Sequence, residues 1–200
     1  MSIDQTNRGR LLSVVLMMTL AILASPAAVS AEPSPRVVRY LGNRAAEILA
    51  RANRVEVFRV RDKRAGEDQK SVGGYVIVGA GTETGGAASR RLADVLLDEK
   101  SYRFDHSTVG GFTPLVGLRL WDGERSVDVL LSFATDEVVV FSRNPDDASV
   151  RSAQADVLPA RAVLAELVKQ AVPDDKAVQA IESSTAGGKT LSPSTGTVPR

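Results

Sequence analysis

The chain has no cysteine in 200 residues, a single histidine, and few aromatics: one Trp, three Tyr and five Phe. Without thiols it can form no disulfide, run no thiol redox cycle and offer no cysteine ligand to zinc, so stability must come from an apolar core. One histidine, His106, excludes a histidine-rich metal site within one chain. Neither charge sign dominates, with 25 basic against 24 acidic side chains, so no global field draws the chain to nucleic acid or to anionic lipid. The longest uncharged apolar run, Leu11 to Leu23, falls short of the ~20 residues a membrane-spanning helix needs.

What is present begins with that run. Arg8 and Arg10 precede it, and the small residues of SPAAVSA follow it, the three-part order of a secretory signal peptide with cleavage expected after Ala31. Removing residues 1–31 takes away Arg8, Arg10 and Asp4 and leaves a formally neutral mature chain. The protein is therefore expected in the periplasm or outside the cell, with no membrane span after processing. The expected organisation is a signal peptide over 1–31, one domain over 32–173, and a mostly disordered tail over 174–200, rich in Gly, Ser, Thr and Pro.

Within the domain, Val38, Leu41, Ala45, Ile48, Leu49 and Ala52 recur at helical spacing and predict one helix from about Pro35 to Ala52. RVEVFRVR, residues 54–61, is a strand with apolar residues on both faces, for which a bulge near Phe58 is one explanation. GYVIVGAG makes a second strand. A helix follows through Ala88, Leu92, Val95 and Leu96, starting at Thr84 or Ser89. LVGLRLW and ERSVDVLLSF alternate around Asp122 and Gly123, predicting a hairpin with a type I′ turn, and EVVVF returns as a third ribbon after FATD. Residues 146–172 read as helical, with Pro159 marking a break, and DDKAVQAIES as a further short helix. The fold class is α+β: an antiparallel sheet of about five strands with three amphipathic helices packed mainly on one face.

Motifs that suggest chemistry fall short of it. VIVGAGTETGG lacks the third glycine of a dinucleotide loop, where Thr84 stands, and AGGKT carries Ser183 where a phosphate loop needs glycine. No G-x-S-x-G elbow exposes a nucleophile. His106 lies beside Asp105 and Ser107, but triad roles require side chains converging from separate elements, so a surface or turn histidine is the expectation. Asp98, Glu99, Asp105, Asp122, Glu124, Asp128, Asp136 and Glu137 match no calcium loop and read as a wet surface; Trp121 is expected to stack on a cross-strand neighbour.

The stretch TVGGFTPLVGLRLWDGERSVDVLLSFATDEVVVF resembles a family of uncharacterised exported bacterial proteins. Their pattern is a cysteine before a G-F-x-P element, a long meander, then C-F-x-C-D. Laid over residues 110–136, the family's cysteines fall at Gly110, Ser132 and Thr135, while Phe112, Pro114, Phe133 and Asp136 agree. In members keeping the thiols, the resemblance implies metal binding or a disulfide there. Here all three are small residues, and Ser132, Thr135 and Asp136 are expected to hydrogen-bond the local backbone of a hairpin tip. Gly110, Ser132, Thr135, Asp136 and His106 are thus the candidate site, without catalytic, cofactor or metal residues assigned. The expected function is a non-catalytic binding or interaction domain at the cell envelope, for a protein or small-molecule partner. The alternatives are a hydrolase using His106, or an inactive descendant of a thiol or metal protein.

Overall fold

The computed structural model describes residues 32–106, 111–143 and 150–183. Residues 1–31, read from the sequence as a signal peptide, Gly110 and residues 184–200 lie outside the described residues. In chain order the elements are α1 (Pro35–Leu41), α2 (Asn43–Arg51), β1 (Arg54–Arg64), β2 (Ser71–Val72), β3 (Tyr75–Ile77), β4 (Thr82–Gly85), α3 (Ala87–Leu97), β5 (Val116–Asp122), β6 (Arg125–Ser132), β7 (Glu137–Arg143), β8 (Val150–Asp156), α4 (Arg161–Ala171) and α5 (Lys176–Gln179), with 3-10 turns at Glu99–Ser101 and Leu158–Ala160. The protein is α+β, and its curled sheet is antiparallel throughout, but it holds eight strands rather than about five, in the order β2-β3-β1-β5-β6-β7-β8 with β4 beside β1.

The meander from Leu115 to Phe141 stands as its alternation dictates: Val116 to Asp122 pair with Leu131 to Arg125, and Val127 to Ser132 pair with Ser142 to Glu137. The turn between β5 and β6 sits one residue later than the Asp-Gly reading places it. Asp122 pairs with Arg125, leaving Gly123 and Glu124 as the central pair; only Gly123 has positive φ, 61°, which is the pattern of a type II′ turn rather than I′.

The extra strands have separate causes. GYVIVGAG is a strand only over Tyr75–Ile77; the chain breaks at residues 78–81 and TETG, which follows, forms a strand of its own, so β3 pairs with β1 at Val60 and Arg64 and β4 pairs with it at Arg54 to Val57. β2 is the short return arm of a hairpin with β3. β8 occupies a stretch that reads as helical; VRSAQAD has little intrinsic strand preference, and it is the seven-residue ladder with β7 that makes it a strand. The first predicted helix is divided into α1 and α2 by Gly42, whose φ of 86° interrupts the helical run. Neither predicted start of α3 is its cap, which is Gly86; Thr84 belongs to β4, and Ser89 lies inside the helix, donating to the carbonyl of Gly86 at 3.1 Å. Asp175 caps α5, accepting from the amides of Ala177 at 2.9 Å and Val178 at 3.0 Å.

The sheet is covered on both faces, and this explains β1. Val55, Val57, Val116, Leu118, Leu120, Val127, Val129, Leu131, Val138 and Val140 form the main core with Leu41, Ile48, Leu49, Leu92, Leu96, Leu164 and Val168 of the helices. On the opposite face Phe58, Val60, Leu130 and Val139 form a second core under Val72 and Tyr75 of the β2–β3 hairpin. No bulge is needed to explain Phe58: Arg54 to Arg59 pair with Trp121 to Val116 without a break, the register of β1 shifts only further on, between Val60 and Arg64 against β3, and Phe58 is apolar because its own face is covered. A side chain at Gly117, opposite Phe58, would collide with Val72, so this position admits the hairpin only as glycine. Asp128 and Arg119 pin the hairpin: Arg119 pairs bidentately with Asp128 at 2.7 and 2.9 Å and donates to the Ser71 carbonyl at 3.0 Å, while the Gly73 amide donates to Asp128 at 2.9 Å.

Candidate functional site

Those sequence-predicted residues that are described, Ser132, Thr135, Asp136 and His106, fall at two separate places. The first is the β6–β7 hairpin tip. Ser132 pairs with Glu137 across a four-residue loop, Phe133 to Asp136, whose last residue is left-handed at φ 56°. Ser132 Oγ accepts hydrogen bonds from the Thr135 amide at 3.4 Å and from Thr135 Oγ1 at 2.8 Å, so Ser132 bonds the local backbone as the sequence predicts, whereas the Thr135 hydroxyl bonds the Ser132 side chain instead. Asp136 does not. Its carboxylate takes the guanidinium of Arg161, the first residue of α4, which also donates to the Phe133 carbonyl at 2.5 Å and lies 5.7 Å from the Phe133 ring centre. The Asp136 carbonyl also reaches a distant segment, accepting from the Val157 amide just past β8 at 2.7 Å.

From this tip a row of polar side chains runs sideways. Glu137, buried, accepts from Gln154 at 2.7 Å and pairs along the ladder with Asp156. Asp156 is only 4% exposed, and both its oxygens take the guanidinium of Arg103, one of them at 3.0 Å. It also accepts from the Leu158 amide at 2.8 Å, and its carbonyl accepts from the Arg103 amide at 3.0 Å. The hydrogen bond to Asp156 holds the Arg103 guanidinium above its ordinary pKa. Arg103 therefore sews the segment after α3 to the end of β8.

The second place is the cleft that Arg103 helps to line. It encloses about 560 Å³ between Arg36 of α1 and two short runs, Asp98 to Lys100 and Tyr102 to His106. Tyr40, Tyr102 and Phe104 back it: Tyr102 and Phe104 stack with centres 5.0 Å apart, and Tyr40 meets them at 5.5 and 5.4 Å. Arg36 lies 4.6 Å over the Phe104 ring and reaches Asp105 at 3.3 Å and Glu99 at 3.6 Å. Burial pushes the Tyr102 hydroxyl well above its usual range while it donates to the Leu96 carbonyl at 2.5 Å. Burial also raises Tyr40, followed by the fields of Tyr102 and Glu137.

His106 lies exposed in this cleft, its amide closing a turn onto the Arg103 carbonyl at 3.2 Å. Ser132, Thr135 and Asp136 do not line it, so the structure joins two of the predicted residues closely and sets His106 apart from them. Ser107 and Gly110 are outside the described residues. The predicted carboxylates are spread among basic partners, Asp122 with Arg125, Asp128 with Arg119 and Asp136 with Arg161, and no group of three or more metal-ligating side chains stands together among the described residues. Trp121 does stack on its cross-strand neighbour, the Arg54 guanidinium, at 4.6 Å, and donates to Glu56 at 3.0 Å.

Arg36, Tyr102, Arg103, Phe104 and Asp156 escape sequence reasoning. One signal was readable: in a chain so poor in aromatics, Tyr102 and Phe104 stand two apart beside a histidine. Asp156 carried none, because its importance comes from a partner 53 residues away. No helix among the described residues is long and apolar enough to cross a membrane. No family model, curated protein or solved structure matches this chain.

Proposed function

We propose that the mature chain is an exported, non-catalytic binding domain of the cell envelope, and that its ligand enters the cleft between Arg36 and His106. The observation that carries this reading is the composition of the cleft wall. Arg36, Lys100, Arg103 and His106 face Asp98, Glu99 and Asp105 around an aromatic ring, and no serine or threonine is among the described lining residues. Such a wall favours a ligand bearing both signs of charge, a short peptide or a zwitterionic small molecule. A ligand carboxylate would exchange with Glu99 and Asp105 on Arg36, which are exposed and weakly held, while an aliphatic stem would cover Phe104.

The test is titration of residues 32–200 with short peptides and free amino acids, followed by amide chemical shifts. Saturable shifts confined to 98–106 and lost in Arg36→Ala support the reading. Shifts elsewhere would sink it, and so would turnover of a nitrophenyl ester that disappears in His106→Ala, the behaviour of the hydrolase alternative.

A second reading, descent from a thiol or metal protein, is favoured by one contact: Ser132 Oγ and Thr135 Oγ1 stand 2.8 Å apart. Cysteines installed at 110, 132 and 135 should then take up zinc at one equivalent; no uptake counts against that descent.

A further inference from the structure

We propose that the free edge of β8 pairs with the same edge of a second copy of this chain, joining two sheets across a two-fold axis centred on Ser152. β8 is the last strand of the sheet, and its backbone groups divide by parity. The Val157 amide bonds to the Asp136 carbonyl of the β6–β7 loop, so the odd-numbered residues face β7. The even-numbered residues face outward, as the bond from the Arg103 amide to the Asp156 carbonyl shows. Arg103 thereby closes the edge at Asp156. Among the described residues nothing pairs with the outward amides and carbonyls of Val150, Ser152 and Gln154.

Those three residues are symmetric about Ser152, and this selects the partner. In an antiparallel pair the outward residues of one strand exchange hydrogen bonds with the outward residues of the other. Setting Ser152 opposite Ser152 places Val150 opposite Gln154 in both directions and uses every free group on both strands. Shifting the centre to Ala153 would set Val150 against Asp156, whose carbonyl is already taken. The charges agree with the same register. Arg151 is the single basic residue of β8; it falls opposite Ala153 rather than its own copy, and its guanidinium is drawn away to the carbonyls of Arg39 at 3.0 Å and Tyr40 at 3.4 Å.

The edge also lacks what keeps free edges apart. Between Val150 and Gln154 there is no proline, no lysine and no bulge, the ladder with β7 is unbroken, and Val150 is 55% exposed. Any extended strand presents backbone groups at this spacing, but a second copy also brings an edge closed at the same place, at Asp156, so the paired length is the same on both strands.

The experiment is sedimentation of the mature chain from ~1 µM to ~1 mM, the span over which small interfaces associate. A concentration-dependent dimer is expected. Ser152→Pro removes an amide that has no partner among the described residues, and it should raise the dimer dissociation constant about tenfold or more through loss of two interstrand hydrogen bonds, with the thermal midpoint held. Ser152→Cys is a second measure that needs no loss of stability: in a chain with no other cysteine, it should cross-link to itself under mild oxidation, while Arg143→Cys should not. A monomer throughout, a dimer indifferent to Ser152→Pro, or equal cross-linking at both positions would overturn the proposal.

Discussion

Replacing Gly117 by alanine tests the claim that the sheet carries a core on each face. A Cβ at this position would stand well inside 3.0 Å of Val72 Cγ1 and 3.1 Å from Val60 Cγ1. Val72 is fully buried and belongs to a two-residue strand, so it yields by lifting the β2–β3 hairpin rather than by changing rotamer. Overpacking of this kind costs about 1–3 kcal/mol. Lifting also strains the bonds from Gly73 to Asp128 and from Arg119 to Ser71, each worth about 1.5 kcal/mol or more because one partner is charged. Alanine returns about 0.5–1 kcal/mol in backbone entropy. The net expectation is a loss of about 2 kcal/mol, or about 7 °C in Tm for a domain of this size. Thermal and urea unfolding of Gly117→Ala, Val72→Ala and the double variant measure it. Val72→Ala removes the colliding methyl, so the double variant should be more stable than the sum of the singles by about 1 kcal/mol or more. An additive cycle, or a Gly117→Ala chain within ~0.5 kcal/mol of the parent, would refute the two-sided sheet.

Asp156→Ala strands Arg103 and frees the Leu158 amide, and should cost about 2–4 kcal/mol by urea midpoint, the lower end applying because Arg103 is 37% exposed. Arg161→Ala withdraws the donor shared by the Phe133 and Asp136 oxygens and the Glu182 carbonyl; about 2–3 kcal/mol is expected, with amide exchange accelerating first in residues 133–136. Alkali should destabilise the fold through tyrosine. Tyr40 and Tyr102 are raised above their ordinary 10.0, so below pH 10 neither contributes to the pH dependence, whereas above it the unfolded chain ionises while the folded chain does not. Stability then falls by about 1.4 kcal/mol per pH unit for each ring, and Tyr102→Phe should remove one ring's share of the slope. A slope unchanged by that substitution would show that Tyr102 ionises normally in the folded protein.

Much of the fold was legible because period-2 alternation and turn residues act over neighbouring positions. Leu115 to Phe141 folds as the meander its pattern describes, and Val163, Leu164, Leu167 and Val168 lie on a real helix, α4. What misled was every feature whose cause lies far along the chain. Phe58 looked out of phase because the hairpin covering it returns from residues 71–77, and VRSAQAD looked helical because only β7 makes it a strand. The candidate site divides the same way. The Ser132–Thr135 contact is a local turn and could be foreseen; the guanidinium partners of Asp136 and Asp156 come from residues 161 and 103 and could not.

By itself, then, the sequence determined the chemistries closed to this protein, the absence of a charge bias, the α+β class and the central meander, since composition and short-range periodicity are properties of the unfolded chain as much as of the folded one. Only the tertiary structure decided that the sheet is buried on both faces, that β8 is its last strand among the described residues, and that a cleft of mixed charge forms over three gathered aromatic rings. Those outcomes depend on which distant segments meet, and that is settled by how the whole chain packs its apolar surface and pairs its buried charges.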